Sequence, residues 1–157
     1  MSYQKARWII KLFLLILLID SHGIAQDDWF VSPGVKLGYV FGQGGGFIMG
    51  AEVSVTRIPE FGGPIWGAFV SIEKTKKATI AHIGIEASGL IGLSLGPSFI
   101  ASEEGRSWGV GATMFGGVIV MPYLRLTYLN PQLTIPEWGS FVKLPFSLNG
   151  RKFNVAG

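Results

Sequence analysis

The sequence predicts an all-β chain folded as a single antiparallel up-and-down β-barrel of about eight strands, its apolar face turned outward. Three observations predict it. From Trp29 onward, apolar residues recur at every second position rather than at helical spacing. Turn residues interrupt that alternation roughly every ten residues. The charges inside the alternating stretches fall on the face opposite the bulky apolar side chains.

Strands are expected near 30–42, 46–56, 65–74, 77–88, 92–101, 106–115, 117–128 and 138–147. Most are about ten residues long, the length a tilted strand needs to cross a bilayer core. One face carries Val35, Leu37, Tyr39 and Phe41, then Phe47, Met49, Val53 and Val55, then Trp66, Val70 and Ile72. It continues through Ile83, Ile85, Leu93, Leu95, Phe99, Trp108, Val110, Met114, Val118, Val120, Leu124, Leu126 and Tyr128 to Trp138, Val142, Leu144 and Phe146. The other face carries Lys36, Glu52, Ser54, Ser71, Glu73, His82, Glu86, Ser94, Ser98, Thr113, Arg125 and Lys143, separated by glycines.

Turn lengths that keep these faces together give an expected register. A three-residue loop over 43–45 pairs Gly42 with Gly46 and sets Lys36 opposite Glu52, where a cross-strand ion pair is favourable. A two-residue loop at Thr75 and Lys76 sets Ile72 opposite Thr79 and Phe69 opposite His82. The segment "SEEG" (102–105) joins the fifth and sixth strands with their apolar faces aligned. Pro97, Pro122 and Pro145 fall inside expected strands, where proline cannot donate to the ladder, and require bulges or strand ends.

The polar face suits an interior better than a solvated exterior. It is rich in glycine (Gly38, Gly50, Gly67, Gly84, Gly96, Gly109, Gly111), as the crowded inside of an eight-stranded barrel demands. Its three basic residues (Lys36, Arg125, Lys143) face three acidic ones (Glu52, Glu73, Glu86), a self-neutralising lumen network that His82 joins. Trp29, Phe30, Trp66, Trp108, Tyr128 and Trp138 lie near strand ends, as interfacial aromatics do. Two rivals stand beside this reading. A soluble barrel would turn the same faces the other way around an apolar ligand. Packed transmembrane helices over 78–101 and 107–129 would place His82, Glu86 and Arg125 in hydrocarbon at several kcal/mol.

Composition fits an exported membrane chain. Charged residues make up 15% of the 157 residues, against about a quarter in ordinary soluble domains. Residues 1–25 read as a signal peptide: Lys5, Arg7 and Lys11 precede the apolar run 12–19, and "GIA" (23–25) offers small residues for cleavage after Ala25. Residues 26–157 are then the barrel domain. Losing the signal removes Lys5, Arg7, Lys11 and Asp20, so 13 basic and 10 acidic residues become 10 and 9. The basic pI belongs largely to the signal, and nucleic acid is not an expected partner. Absent cysteine excludes disulfides, thiolate metal sites and cysteine nucleophiles.

The stretches "SPGVKLGYVFGQGGGFIMGAEVS", "HIGIEASGLIGLSLGPSFI" and "EWGSFVKLPFSLNG" resemble exported proteins with glycine-rich strands, within the small outer-membrane β-barrels of Gram-negative-type bacteria. That resemblance implies an outer-membrane location, contact with outer-membrane lipid, insertion by the barrel-assembly machinery and a periplasmic N-terminus. It also implies a terminal aromatic read by that machinery, for which Phe146 and Phe153 are the candidates.

Chemistry is sparse. Some barrels of this kind act on lipid acyl chains with a His and a Ser, but the His-x-Ser-Asn constellation of the lipid A deacylase type is here "HIGI". His82 and Glu86 lie about 13 Å apart along one strand, so only Ser94 or Ser98 from the next strand could approach the imidazole. No metal-ligand spacing occurs, and no cofactor is expected. "GQGGG" (42–46) lacks the lysine and hydroxyl residue of a phosphate loop and reads as a turn. "EKTKK" (73–77) is either a solvated loop or a contact for anionic lipid headgroups. Connections are short, the longest being the proline-braced 129–137, which leaves little surface for an adhesin or receptor. The expected function is a non-enzymatic, monomeric outer-membrane barrel with a structural or envelope role, or a narrow small-solute conduit. The alternatives are a lipid-modifying enzyme using His82 and a soluble periplasmic barrel.

Overall fold

The computed structural model describes residues 28–42, 45–59, 64–117, 119–130 and 133–149. The expected signal peptide, Val118 and Phe153 fall outside them. Among the described residues nine strands follow in order: β1 (Asp28–Val40), β2 (Gly46–Ile58), β3 (Ile65–Lys74), β4 (Ala78–Ser88), β5 (Ile91–Ser102), β6 (Gly105–Gly116), β7 (Val120–Asn130), β8 (Leu133–Lys143) and β9 (Phe146–Ser147). Each of the first eight pairs antiparallel with its sequence neighbour, and β1 pairs with both β2 and β8, so the sheet closes on itself. The short β9 prolongs the β8 side of the seam by pairing with Phe30 and Val31 of β1. No helix occurs among the described residues.

The register fixes the shape of the wall. A path across the strands from Arg57 runs through Trp66, Ala87, Leu93, Met114, Leu124, Trp138 and Tyr39 and returns to β2 at Phe47. The return point lies ten residues along β2 from its start. With ordinary strand spacings, that stagger over eight strands corresponds to a tilt of about 40°. A barrel of this size has an interior that side chains just fill.

Two hairpins differ from the expected register by two residues, which keeps every side chain on its face. Val40 rather than Gly42 pairs with Gly46, so Lys36 lies opposite Gly50 and Glu52 opposite Gly34. The expected Lys36–Glu52 pair does not form. The turn widens to 41–45 because the Phe41 N–H donates to the Pro136 carbonyl of β8 (2.9 Å) and leaves β2. Gly42 reverses the chain with φ +101° and its carbonyl accepts from the Gly45 N–H (3.0 Å). In the β3–β4 hairpin, Ile72 faces Ala81 and Ser71 faces His82. Thr75 moves that turn one residue onward. Its backbone N–H donates to the Ala78 carbonyl, while its hydroxyl accepts from the N–H groups of Lys77 and Ala78 (3.2 and 2.9 Å). The β5–β6 register is the expected one, with Ala101 opposite Arg106 and a tighter turn at Glu103 and Glu104.

The last strand is displaced furthest. β8 occupies Leu133–Lys143 rather than 138–147, and most of the expected 129–137 loop is strand. Prolines are placed where pairing to one side is already lost. The β4–β5 ladder skips from His82↔Ser98 to Ile85↔Leu95 beside Pro97, and β6–β7 pairing stops at Phe115↔Tyr123 beside Pro122. Pro145 lies in the break between β8 and β9. Pro136 still offers its carbonyl to Phe41.

Inward glycines accept the large inward rings. The Tyr123 ring crosses Gly38 and Gly139: a Cβ at Gly38 would meet Tyr123 Oη at 2.5 Å and the Trp138 carbonyl at 2.6 Å. The carbonyl belongs to the sheet and cannot yield. Gly38→Val is therefore expected to cost about 1–3 kcal/mol by overpacking, read as a lower urea midpoint for the compact band on unboiled gels.

Candidate functional site

Alternation places the two faces in opposite surroundings. Outward, Leu37, Ile85 and Leu95 are 50%, 59% and 53% exposed; inward, Lys36 and Glu73 are each 1% exposed. Bulky apolar side chains stand outward on all eight main strands, far beyond the few hundred Å² of contiguous apolar surface a soluble monomer shows. This is a β-barrel of the transmembrane type. The soluble alternative required Leu37 and Ile83 at the centre, and the structure places both outside.

The outward aromatics form two levels. Trp29 and Trp66 flank Arg57 at the end of the barrel that holds the described chain termini. Trp108 and Tyr128 stand near the opposite end. With the stagger and tilt derived above, Trp66 and Trp108 lie about 24 Å apart along the axis, close to the ~25 Å apolar band of membrane barrels. Trp138 shares its row with Trp66, five strands around, and tilt lifts it between the two levels. Phe30 differs from expectation: it is buried and turned inward.

All seven residues expected in the lumen network are buried there: Lys36, Glu52, Glu73, His82, Glu86, Arg125 and Lys143. They form two ionic layers. In the first, Lys36 Nζ lies 2.6 Å from Glu73 Oε1 and 3.0 Å from Glu137 Oε1. Arg125 Nη1 reaches Glu73 Oε1 at 2.7 Å, and its Nε donates to Thr113 Oγ1 at 2.9 Å. The Ser71 hydroxyl also donates to Glu73 (3.1 Å), the Tyr123 hydroxyl donates to Glu137 (2.5 Å), and Lys36 Nζ sits 4.2 Å above the Tyr123 ring. The second layer centres on Lys143, 2.6 Å from Glu52 and 3.1 Å from Glu86, with Ser54 at 3.3 Å. Phe115, Met121, Tyr123 and Phe141 wall this layer, and Lys143 Nζ lies 5.0 Å from the Phe141 ring centre. Val40, Ile48 and Ile80, joined by Ile100 and Ile135, close the lumen beyond the first layer.

Glu137 was missing from the sequence expectation because its neighbours Pro131 and Pro136 read as loop. The signal that finds it is Ile135, Glu137, Gly139, Phe141 and Lys143 recurring at every second position. Its carboxylate makes four acidic against three basic side chains among the described lumen residues. Tyr123 was missed for the opposite reason, as a large ring on a face expected to be small.

One alignment within the first layer has a chemical form. Ser98 Oγ lies 2.5 Å from His82 Nδ1, and His82 Nε2 lies 3.6 Å from Glu73 Oε2. Ser98, rather than Ser94, is the serine that approaches, and Glu73, rather than Glu86, is the acid. Nucleophile, base and acid thus stand in order across three strands. Gly111 makes room for it, since a Cβ there would lie 2.8 Å from Ser98 Oγ. However, Ser98 is 0% exposed, and Glu73 already serves two cations. The arrangement stands sealed from any substrate. Among the described residues, no group of three or more His, Cys, Asp or Glu side chains could hold a metal ion.

Neither family models nor curated proteins match this sequence. Among solved structures, the barrel is similar to Neisserial surface protein A (NspA), with TM-score 0.46 and 14% identity over 75% of this chain and 97% of that one. It is also similar to a de novo designed transmembrane β-barrel, with TM-score 0.47 and 11% identity over 77% and 100%. Ail, the attachment invasion locus protein of Yersinia pestis, gives TM-score 0.24 and 12% identity over 76% and 99%. The barrel described above stands on its own register and burial.

Proposed function

We propose that the chain is exported behind a signal peptide ending at Ala25, inserted by the barrel-assembly machinery, and resident in the bacterial outer membrane as a monomeric, non-enzymatic barrel with a structural or envelope-stabilising role. The observation that carries this reading is the inversion of polarity, in which a sheet apolar on the outside encloses ionic side chains that satisfy one another. A hydrocarbon surround and a self-paired lumen suit a wall element better than a carrier. Short connections support the same view: only two to five residues separate β1 from β2, β3 from β4, β5 from β6 and β7 from β8, which leaves few side chains to grip a partner. The apolar closure at Val40, Ile48 and Ile80 argues against free solute flow.

Membrane fractionation and gel mobility test the proposal. The protein is expected to need detergent for release and to migrate faster before boiling than after. Release by sonication alone would overturn it.

A second reading, a lipid-acting hydrolase, is favoured by the Ser98–His82–Glu73 alignment. His82→Ala is expected to leave the lipid A profile of the host unchanged, because the serine is sealed. A profile that reverts to that of a strain lacking the protein would establish the enzyme instead.

A further inference from the structure

Outside the lumen, the cations near the β3–β4 and β5–β6 turns behave differently from those within. Lys36, Arg125 and Lys143 are all ion-paired, whereas Lys74, Lys76, Lys77 and Arg106 are exposed and make no ion pair among the described residues. The register shows what they surround. Lys74 pairs with Thr79, Thr79 with Ala101, and Ala101 with Arg106, which gives one row across four strands of the outer face. Three strand spacings separate the two cations, about 14 Å. Between them the wall carries only Thr79 and Ala101, the floor of a cleft of about 490 Å³. The next row toward the membrane reads Ile72, Ala81, Phe99 and Trp108, in which the small Ala81 side chain stands between the exposed Ile72 and Phe99. Trp108 marks the aromatic level here, and the cleft opens at that level. Glu103 at the rim and Glu104 beside it offset two of the four positive charges.

We propose that this cleft is a binding site for a phosphorylated membrane lipid. Headgroup phosphates lie between the Lys74, Lys76, Lys77 side and Arg106, and an acyl chain lies over Ala81 between Ile72 and Phe99. Unpaired cations at the aromatic level supply the charge complement, the spread of the cations suits a headgroup with two separated phosphates, and the apolar row beside them on the membrane side favours a lipid over a free anion. The inference rests on the membrane-barrel reading above and adds a ligand class to it.

The test uses the full folded protein in phosphatidylcholine nanodiscs doped with diphosphoryl lipid A, phosphate-free lipid A or phosphatidylglycerol, with bound lipid counted by native mass spectrometry. Diphosphoryl lipid A is expected to be retained about tenfold more than the phosphate-free form. The variant with Lys74→Gln, Lys76→Gln, Lys77→Gln and Arg106→Gln is expected to lose that preference. Ala81→Phe, which fills the space between Ile72 and Phe99 and keeps the cations, is expected to weaken retention as well. Equal retention of both lipid A forms, or an unchanged preference in the four-site variant, would overturn the proposal. Preference for phosphatidylglycerol would overturn the two-phosphate headgroup. Displacement of bound lipid by inorganic phosphate would assign the cleft to a free anion instead. Each variant is checked by its unboiled gel band, and a protein that fails to enter nanodiscs at all counts against the barrel reading, not against the cleft.

Discussion

Glu73→Gln is expected to destabilise the barrel by about 3 kcal/mol or more, because breaking a buried ion pair leaves the opposing charge uncompensated. Glu73 accepts from Lys36, Arg125 and Ser71 at once and faces His82. Its loss leaves two buried cations leaning on Glu137, which Arg125 Nη1 approaches only to 3.9 Å. Ser71→Ala, which removes a single donor from the same carboxylate, is expected to cost about 1 kcal/mol. Urea titration of the folded band in micelles separates the two effects. Adding Lys36→Met to Glu73→Gln should recover part of the loss, since the pair then leaves together. A Glu73→Gln protein within about 1 kcal/mol of the parent would show that the layer is wet enough to solvate the cations.

The second large effect lies on the outer face. Leu95 projects outward on β5, roughly midway between the Trp66 and Trp108 levels. Leu95→Arg is expected to cost about 2–4 kcal/mol, the penalty for arginine at the bilayer midplane on the lipid face of a barrel. In a water-exposed position the same change would stay within about 0.5 kcal/mol. Reversible unfolding from vesicles gives the number directly. Measured near the lower figure, it would mean that Leu95 does not face hydrocarbon.

Period two was enough to assign faces: Lys36, Glu52, His82 and Lys143 alternate with Val35, Val53, Ile83 and Val142 in the sequence as they do in the wall. Turn geometry was harder to read. Thr75 moved one hairpin through its hydroxyl, a local cue that was present in the sequence. Phe41 widened the other by bonding to Pro136, a contact across 95 positions that no local pattern encodes. The ionic partners were the least legible. Same-face neighbours on adjacent strands can be guessed from hairpins, but Lys36 meets Glu73 two strands away over Gly50, in a row set by the widened first hairpin, and Lys143–Glu86 reaches across the lumen, where separation depends on strand number and stagger. Glu137 was hidden by its prolines, although its strand keeps the alternation on either side of Pro136.

The seam between β1 and β8 has a consequence for how the chain becomes a barrel. It joins Gly34 to Lys143 and Val40 to Glu137, residues roughly a hundred positions apart, through seven register pairs against thirteen for β1 with β2. Every other junction is a local hairpin, so this one carries the heaviest loop-closure entropy and is the natural last step of assembly. Both Glu137 and Lys143 ride on β8. An open sheet therefore exposes Lys36 without Glu137 and Glu52 without Lys143, and only completion of the cylinder balances its charges.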